Sequence, residues 1–237
     1  MKIYLLAGPP FGPKFWGGVS TRLEAHGQEC EALDPFSQTG DFEELVERVC
    51  SKAGGEEAGL VAHGSALPVA MAAARRQKFG LLVLTNGPVT TPDPFLKGLA
   101  HLPGPVRRLL MRPPWSTRFL RSSAGMRRMV VNPYVMDNDT IVTVCEPLRT
   151  SVDSRGNYSA YIRTFRNSPP TGKILALQNL VIWGDADALY PATEAEAACS
   201  ELGNARRVDI PGGKHLHPIE RPWALADHIL ETLEQGN

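Results

Sequence analysis

No apolar run in this chain approaches the roughly 20 consecutive residues that a bilayer-spanning helix needs, so no membrane-spanning segment is expected. The N-terminal stretch from Met1 to Gly8 is too short to serve as the core of a secretion signal. The chain also lacks a C-x-x-C pair. Its cysteines, Cys30, Cys50, Cys145 and Cys199, stand far apart, which suggests neither a zinc site nor a disulfide framework. It lacks an excess of either charge: Lys and Arg total 25, and so do Asp and Glu, so global electrostatics ask for neither nucleic acid nor a membrane surface. Internal repeats and low-complexity tracts are absent. These absences point to a cytoplasmic protein with free thiols, no metal and no cofactor, and they leave the oligomeric state unset.

What is present suits one large α/β domain spanning residues 1–237, long enough to bury a sizeable core. Short apolar runs that end in turn residues read as buried strands: Ile3–Leu6 before Gly-Pro-Pro, Glu29–Leu33 before Asp-Pro, Leu60–His63, Leu81–Thr85 before Asn86-Gly87-Pro88, Leu180–Trp183 before Gly-Asp, and Ala205–Ile210 before Pro-Gly-Gly. Helical spacing falls between them: about Lys14–Ala25, Asp41–Lys52, Ser65–Arg76 with Pro68 in its first turn, and Pro218–Gln235 at the end. Alternating strands and helices predict a mostly parallel sheet of about six strands, covered on both faces. In such sheets ligands sit beyond the carboxyl ends of the strands.

Between the fourth and fifth strands lies an insertion, residues 92–172, too long for a structureless loop. Short helices are expected at Pro105–Met111, Ser116–Arg121, Met126–Val130 and Thr140–Pro147. From His101 to Asn132 the insertion carries seven arginines and no acidic residue. They suit an anionic substrate or an acidic partner such as a carrier protein presenting a thioester. They suit equally the solvated faces of short amphipathic helices, a reading favoured by Leu109, Leu110, Phe119, Leu120, Met126 and Met129. Met111, Trp115 and Tyr134 are candidates to line an apolar substrate pocket against the sheet.

The stretch Gly59-Leu60-Val61-Ala62-His63-Gly64-Ser65-Ala66-Leu67-Pro68-Val69-Ala70 runs from strand through a sharp turn into an Ala-rich helix. Its residues 61–70 resemble the nucleophile elbow of the α/β-hydrolase superfamily, V-G-H-S-x-G-G-P-V-A. Val181-Ile182-Trp183-Gly184-Asp185-Ala186-Asp187 resembles that family's acid turn, and Ile210-Pro211-Gly212-Gly213-Lys214-His215 its histidine loop. The order elbow, acid, histidine and the place of the insertion are also the family's. The likeness extends over nearly the whole chain and is closest to small lidded esterases and thioesterases. It implies an α/β-hydrolase fold in which 92–172 forms a helical cap. By the same resemblance, a β-ribbon like the one that usually precedes the family's first parallel strand is not expected in residues 1–237.

Carried over by position, the resemblance makes Asp187 the catalytic acid and His215 the base. Asp185 reads as a local backbone cap, His217 as a loop residue, and His63 as buried and structural. Two departures stand out. The elbow position is Gly64, which has no side chain to attack with. Ser65 is then either a replacement nucleophile or, as the residue after the elbow, a backbone oxyanion donor whose side chain leans away. The second oxyanion donor falls at Pro9, which has no N–H, and is lost unless Phe11 swings in. Pro9 itself stands at the substrate end of the first strand. Losing one such donor typically costs about 10²–10³ in rate. Three readings remain open: general-base chemistry by a His215–Asp187 dyad on a small acyl or carbonyl compound, free or carrier-bound, without a serine nucleophile; an inactive homologue with a binding role; and an esterase or thioesterase using Ser65.

Overall fold

The computed structural model describes residues 1–38, 40–90, 98, 101–110, 112, 115–123, 125–147, 156, 157, 161 and 173–235. Six strands form one sheet: β1 (Lys2–Ala7), β2 (Glu29–Leu33), β3 (Gly55–His63), β4 (Phe79–Thr85), β5 (Ala176–Gly184) and β6 (Ala205–Ile210), in the spatial order β2-β1-β3-β4-β5-β6. Every neighbouring pair is parallel. Parallel strands need crossovers, and these supply helices to both faces. Described crossover helices are α1 (Gly17–Glu24), α2 (Phe42–Ala53), α3 (Leu67–Arg76) and, between β5 and β6, α7 (Ala192–Leu202). Among the described residues of the insertion lie α4 (Gly104–Leu110), α5 (Trp115–Arg121) and α6 (Asn138–Val144). After β6 come α8 (His217–Glu220) and α9 (Pro222–Gln235).

Strand side chains alternate between two cores, as the pleat dictates. Leu60, Ala62, Leu82, Leu84, Val181 and Trp183 face α2, α3 and α7. Val61, Leu81, Val83, Leu180 and Ile182 face α1 and α9. Withdrawing each such Leu, Ile or Val from water contributes about 1.5–3 kcal/mol. The second core also takes in Met126, Val130, Met136, Ile141 and Val144 from the insertion, packed with Phe11 and Phe15. Among the described residues no helix is long and apolar enough to cross a membrane.

Several boundaries differ from the expectation. The strands β3 and β5 begin earlier, because their first residues pair in the sheet while partly exposed, so they show no apolar run. The expected helix at 14–25 opens as a 3-10 turn, Pro13–Trp16, and the expected helix at 65–76 opens as another, Gly64–Ala66. The closing helix breaks at Arg221 ahead of Pro222, which cannot donate to the preceding turn. α7 has no large apolar stripe, since its buried face consists of Glu194, Ala195, Ala198 and Leu202. Much of the insertion, including the end of its first expected helix at Met111, lies outside the described residues.

The register fixes where chemistry can gather. Ala7 pairs with His63, and His63 with Thr85. The next residues, Gly8, Gly64 and Asn86, therefore stand side by side at the carboxyl edge. The ladder runs one step further through Gly8 N–H to His63 O at 3.2 Å and Gly64 N–H to Asn86 O at 3.0 Å.

Candidate functional site

At the end of β3 the chain turns on Gly64, whose φ is +62°. That left-handed conformation is cheap for glycine and costs other residues about 1–2 kcal/mol. Space does not demand glycine here: a Cβ built on it would meet the Cε1–Nε2 edge of His215 at 3.7 Å, an ordinary contact. The hydroxyl of the buried Ser65 donates to the Pro9 carbonyl at 3.1 Å. It therefore turns away from His215 and caps no helix. The Tyr161 hydroxyl donates to the Ser65 carbonyl and closes the turn from the insertion side.

Gly8 is a different case. A Cβ there would lie 2.1 Å from Ser65 Oγ and 2.5 Å from the Ala66 nitrogen. The end of β1 thus presses directly on the elbow backbone. Gly8→Ala is expected to lower unfolding free energy by about 1–3 kcal/mol through overpacking, and urea unfolding of the variant measures it.

The acid turn after β5 is locked locally. Asp185 Oδ1 accepts the Gly212 N–H at 2.6 Å, and Ala186 N–H donates to Gly213 O at 3.0 Å. This joins the turn to the loop that carries His215. Asp187 Oδ1 accepts the Leu189 N–H at 2.8 Å, while Oδ2 accepts the Asn86 amide at 2.8 Å and meets His215 Nδ1 at 3.0 Å. Burial works against the Asp187 charge. The neighbouring His215, its hydrogen bond, the Leu189 N–H and the Asn86 amide outweigh it, so its carboxyl sits below the usual carboxylate range. His215 is almost fully buried, with 6% of its surface exposed.

Two further histidines and an asparagine surround this pair. His63 is fully buried, and its ring lies 4.7 Å from that of His215 and 4.9 Å from that of Phe15. Among the described residues neither of its nitrogens makes a hydrogen bond of normal geometry. Burial, then the nearby His215 and His217, hold it neutral, well below 6.5. His217 is not the loop residue expected from its place in the sequence. It opens α8, is fully buried, and its Nε2 lies 2.9 Å from both Thr85 Oγ1 and Asn86 Oδ1. Burial pushes its pKa down to about 3. Asn86, fully buried with φ +31°, is the residue that sequence reasoning passed over. The only signal was its place after a strand, before Gly-Pro.

The other candidates are scattered. The Phe11 N–H donates to Gly8 O at 3.1 Å, so it is committed within its own turn instead of standing free as an oxyanion donor. Its ring packs on Phe15 at 4.6 Å. Pro9 is buried, with its carbonyl on Ser65. Tyr134 is 90% exposed and lines no buried pocket, because the 3-10 turn Pro133–Val135 that carries it holds no buried residue. Met111 and the side chain of Trp115 lie outside the described residues. Arg112, Arg118 and Arg128 are exposed, whereas Arg107 is buried. The insertion is clasped to the histidine loop: Leu216 N–H donates to Met129 O at 2.8 Å, and Glu220 accepts the N–H groups of Val131 at 2.9 Å and Asn132 at 2.6 Å. Among the described residues no group of three or more His, Cys, Asp or Glu side chains is placed to hold a metal ion.

Residues 5–227 match the model of the alpha/beta hydrolase family. No curated protein matches the chain. Solved structures of similar shape include the enol-lactonase from Burkholderia xenovorans (15% identity, TM-score 0.72, covering 98% of this chain and 91% of that one). An inhibitor complex of the Bacillus megaterium epoxide hydrolase is also similar (17%, 0.69, 98% and 93%). So is a malate-bound esterase from Thermogutta terrifontis (16%, 0.67, 100% and 90%). At these identities the likeness carries the fold alone.

Proposed function

The chain belongs to the alpha/beta hydrolase family, and from that premise we propose that it acts on a small acyl or carbonyl compound by proton transfer at His215, with no covalent enzyme intermediate. One observation carries the reading. The Cε1–Nε2 edge of His215 faces the place of the absent side chain at 3.7 Å, while Nδ1 is held by Asp187 at 3.0 Å. An ionised Asp187 accepts the proton on Nδ1 and leaves Nε2 as the bare, basic nitrogen. The space that a serine hydroxymethyl group would take then suits a water or a substrate hydroxyl.

In hydrolysis, Nε2 removes a proton from that water as its oxygen bonds to the carbonyl carbon. The negative charge grows on the carbonyl oxygen, beside the Ser65 N–H at the turn. Collapse breaks the bond to the alcohol or thiol, which takes the proton back from Nε2. The same base acting on a substrate C–H would start an elimination or a cyclisation. An esterase and an enol-lactonase, both named for carbonyl substrates, share this fold. The substrate is a free ester, lactone or thioester, or a thioester on a carrier protein that meets the insertion's arginines.

A panel of aryl esters, lactones and acyl thioesters, free and carrier-bound, tests the reading. His215→Ala is expected to lower turnover about 10²- to 10⁴-fold, and Ser65→Ala to leave it within a few fold. Turnover that vanishes with Ser65→Ala would restore Ser65 as nucleophile. A ligand bound without any turnover would make the protein a binding module.

A further inference from the structure

The side chain of Asn86 makes four hydrogen bonds at the site, against three for Asp187. Its amide Nδ2 donates to Asp187 Oδ2 at 2.8 Å and to Gly184 O at 3.4 Å, and its Oδ1 accepts the Gly184 N–H at 2.8 Å. A side-chain amide carries the same donor and acceptor as a peptide unit. Asn86 thus bridges both backbone groups of Gly184 and extends the β4–β5 ladder past its last residue. Its own backbone carbonyl accepts the Gly64 N–H. One residue therefore joins the elbow, the acid turn and the acid itself.

These contacts also settle the orientation of the amide, since Nδ2 must face two acceptors. Oδ1 is then the atom that meets His217 Nε2 at 2.9 Å. An oxygen with no proton can only accept, so Nε2 of His217 carries the hydrogen. Its Nδ1 is left bare, in keeping with that nitrogen having no partner among the described residues.

We infer that Asn86 is a positioning residue for the base, steering the Asp187 carboxylate onto His215 and being itself held in place by the Nε2–H tautomer of His217. The inference rests on the His215–Asp187 reading above and deepens it. Charged or titratable groups face position 86 from two elements, Asp187 from the acid turn and His217 from α8, with His215 reached through Asp187. Thr85 adds a neutral hydroxyl at His217.

Nuclear magnetic resonance of the full chain, labelled with ¹⁵N in histidine, tests this without needing a substrate. The wild type is expected to show His217 as the Nε2–H tautomer and a slowly exchanging proton on His215 Nδ1. In Asn86→Ala that proton should exchange at least 10-fold faster, and His217 should become a mixture of tautomers. Asn86→Asp is nearly isosteric and keeps the proposal testable if the alanine variant does not fold. Its introduced carboxyl donates to Asp187 while protonated, so spectra near pH 5 should resemble the wild type. Two carboxylates this close cannot both ionise without repulsion, so the His215 signal should change as the pH rises towards 8. An unchanged His215 proton in folded Asn86→Ala, pH-independent spectra in Asn86→Asp, or the opposite His217 tautomer would overturn the inference. A lack of turnover in the wild type would instead count against the proposed activity and leave these readouts intact.

Discussion

Gly64→Ser is expected to turn this protein into one that a serine-reactive fluorophosphonate labels stoichiometrically, with the adduct on the peptide containing position 64. Among the described residues a Cβ at this position meets only the Cε1–Nε2 edge of His215, at 3.7 Å, so the new hydroxyl would be carried into the neighbourhood of the basic nitrogen. His215 already holds Asp187 at 3.0 Å through its other nitrogen. Nucleophile, base and orienting acid would then stand in the order that acyl transfer needs. Loss of the nucleophile from a complete triad costs about 10⁶ in turnover. If the second oxyanion donor is lost because Pro9 has no N–H, that takes back about 10²–10³, which leaves room for a gain of about 10³–10⁴ in acylation of an activated ester. Because one donor also serves deacylation, a burst followed by slow turnover is expected. The left-handed φ of +62° should cost about 1–2 kcal/mol of stability. Adding His215→Ala should remove most of the labelling, and Ser65→Ala should not. A folded Gly64→Ser protein that takes no label would show that His215 does not address the elbow.

The second large effect is on stability below neutral pH. His217, with a folded pKa of about 3 against 6.5 unfolded, and His63, held well below 6.5, both resist protonation in the native state. Their stabilising contribution is complete above pH 6.5 and is lost as the pH falls below it, because the unfolded chain then binds protons that the folded chain refuses. Each such proton is worth about 1.4 kcal/mol per pH unit, so His217 alone loses about 5 kcal/mol over its whole window. Asp34 works the other way. Burial, stronger than the nearby N–H groups of Ser37 and Phe36, raises its carboxyl to about 6. It therefore offsets about one histidine between pH 6 and 3.8. Asp187, depressed below 3.8, adds its loss only at lower pH. Urea unfolding should show stability falling as the pH goes from 6 to 4, because His217 and His63 together outweigh Asp34. Asp34→Asn should steepen this fall by about 1.4 kcal/mol per pH unit, and His63→Phe, which keeps the ring stack, should flatten it. Stability that stays level from pH 7 to 4 would mean that the histidines reach water or a partner.

The strand ends were legible in the sequence because each buried run stops at turn residues, and parallel pairing then forces those ends into one row. That is why Gly64, Asp187 and His215 are found together although up to 151 positions separate them in the chain. Asn86 and His217 were not legible. Their roles come from side-chain hydrogen bonds across three elements, and no periodicity marks such bonds. Tyr134 misled for the reverse reason: an aromatic residue in an insertion signals a pocket only if its turn faces inward, and this one faces water. Phe11 offered a free N–H on paper, but the Gly8–Phe11 turn consumes it. α7 escaped notice because small residues and a buried Glu194 form its inner face. That glutamate accepts the N–H groups of Val89 and Thr90, leaving no apolar rhythm to read.

The clasp between the insertion and α8 has a mechanical meaning. Met129 grips Leu216, the residue next to His215, and four residues further on Glu220 grips Val131 and Asn132. A push on residues 129–132 is passed through these three bonds into the loop that aims the imidazole, while Asp187 resists from the sheet side. His215 hangs between two anchors, one in the scaffold and one in the insertion, and its aim registers the position of both.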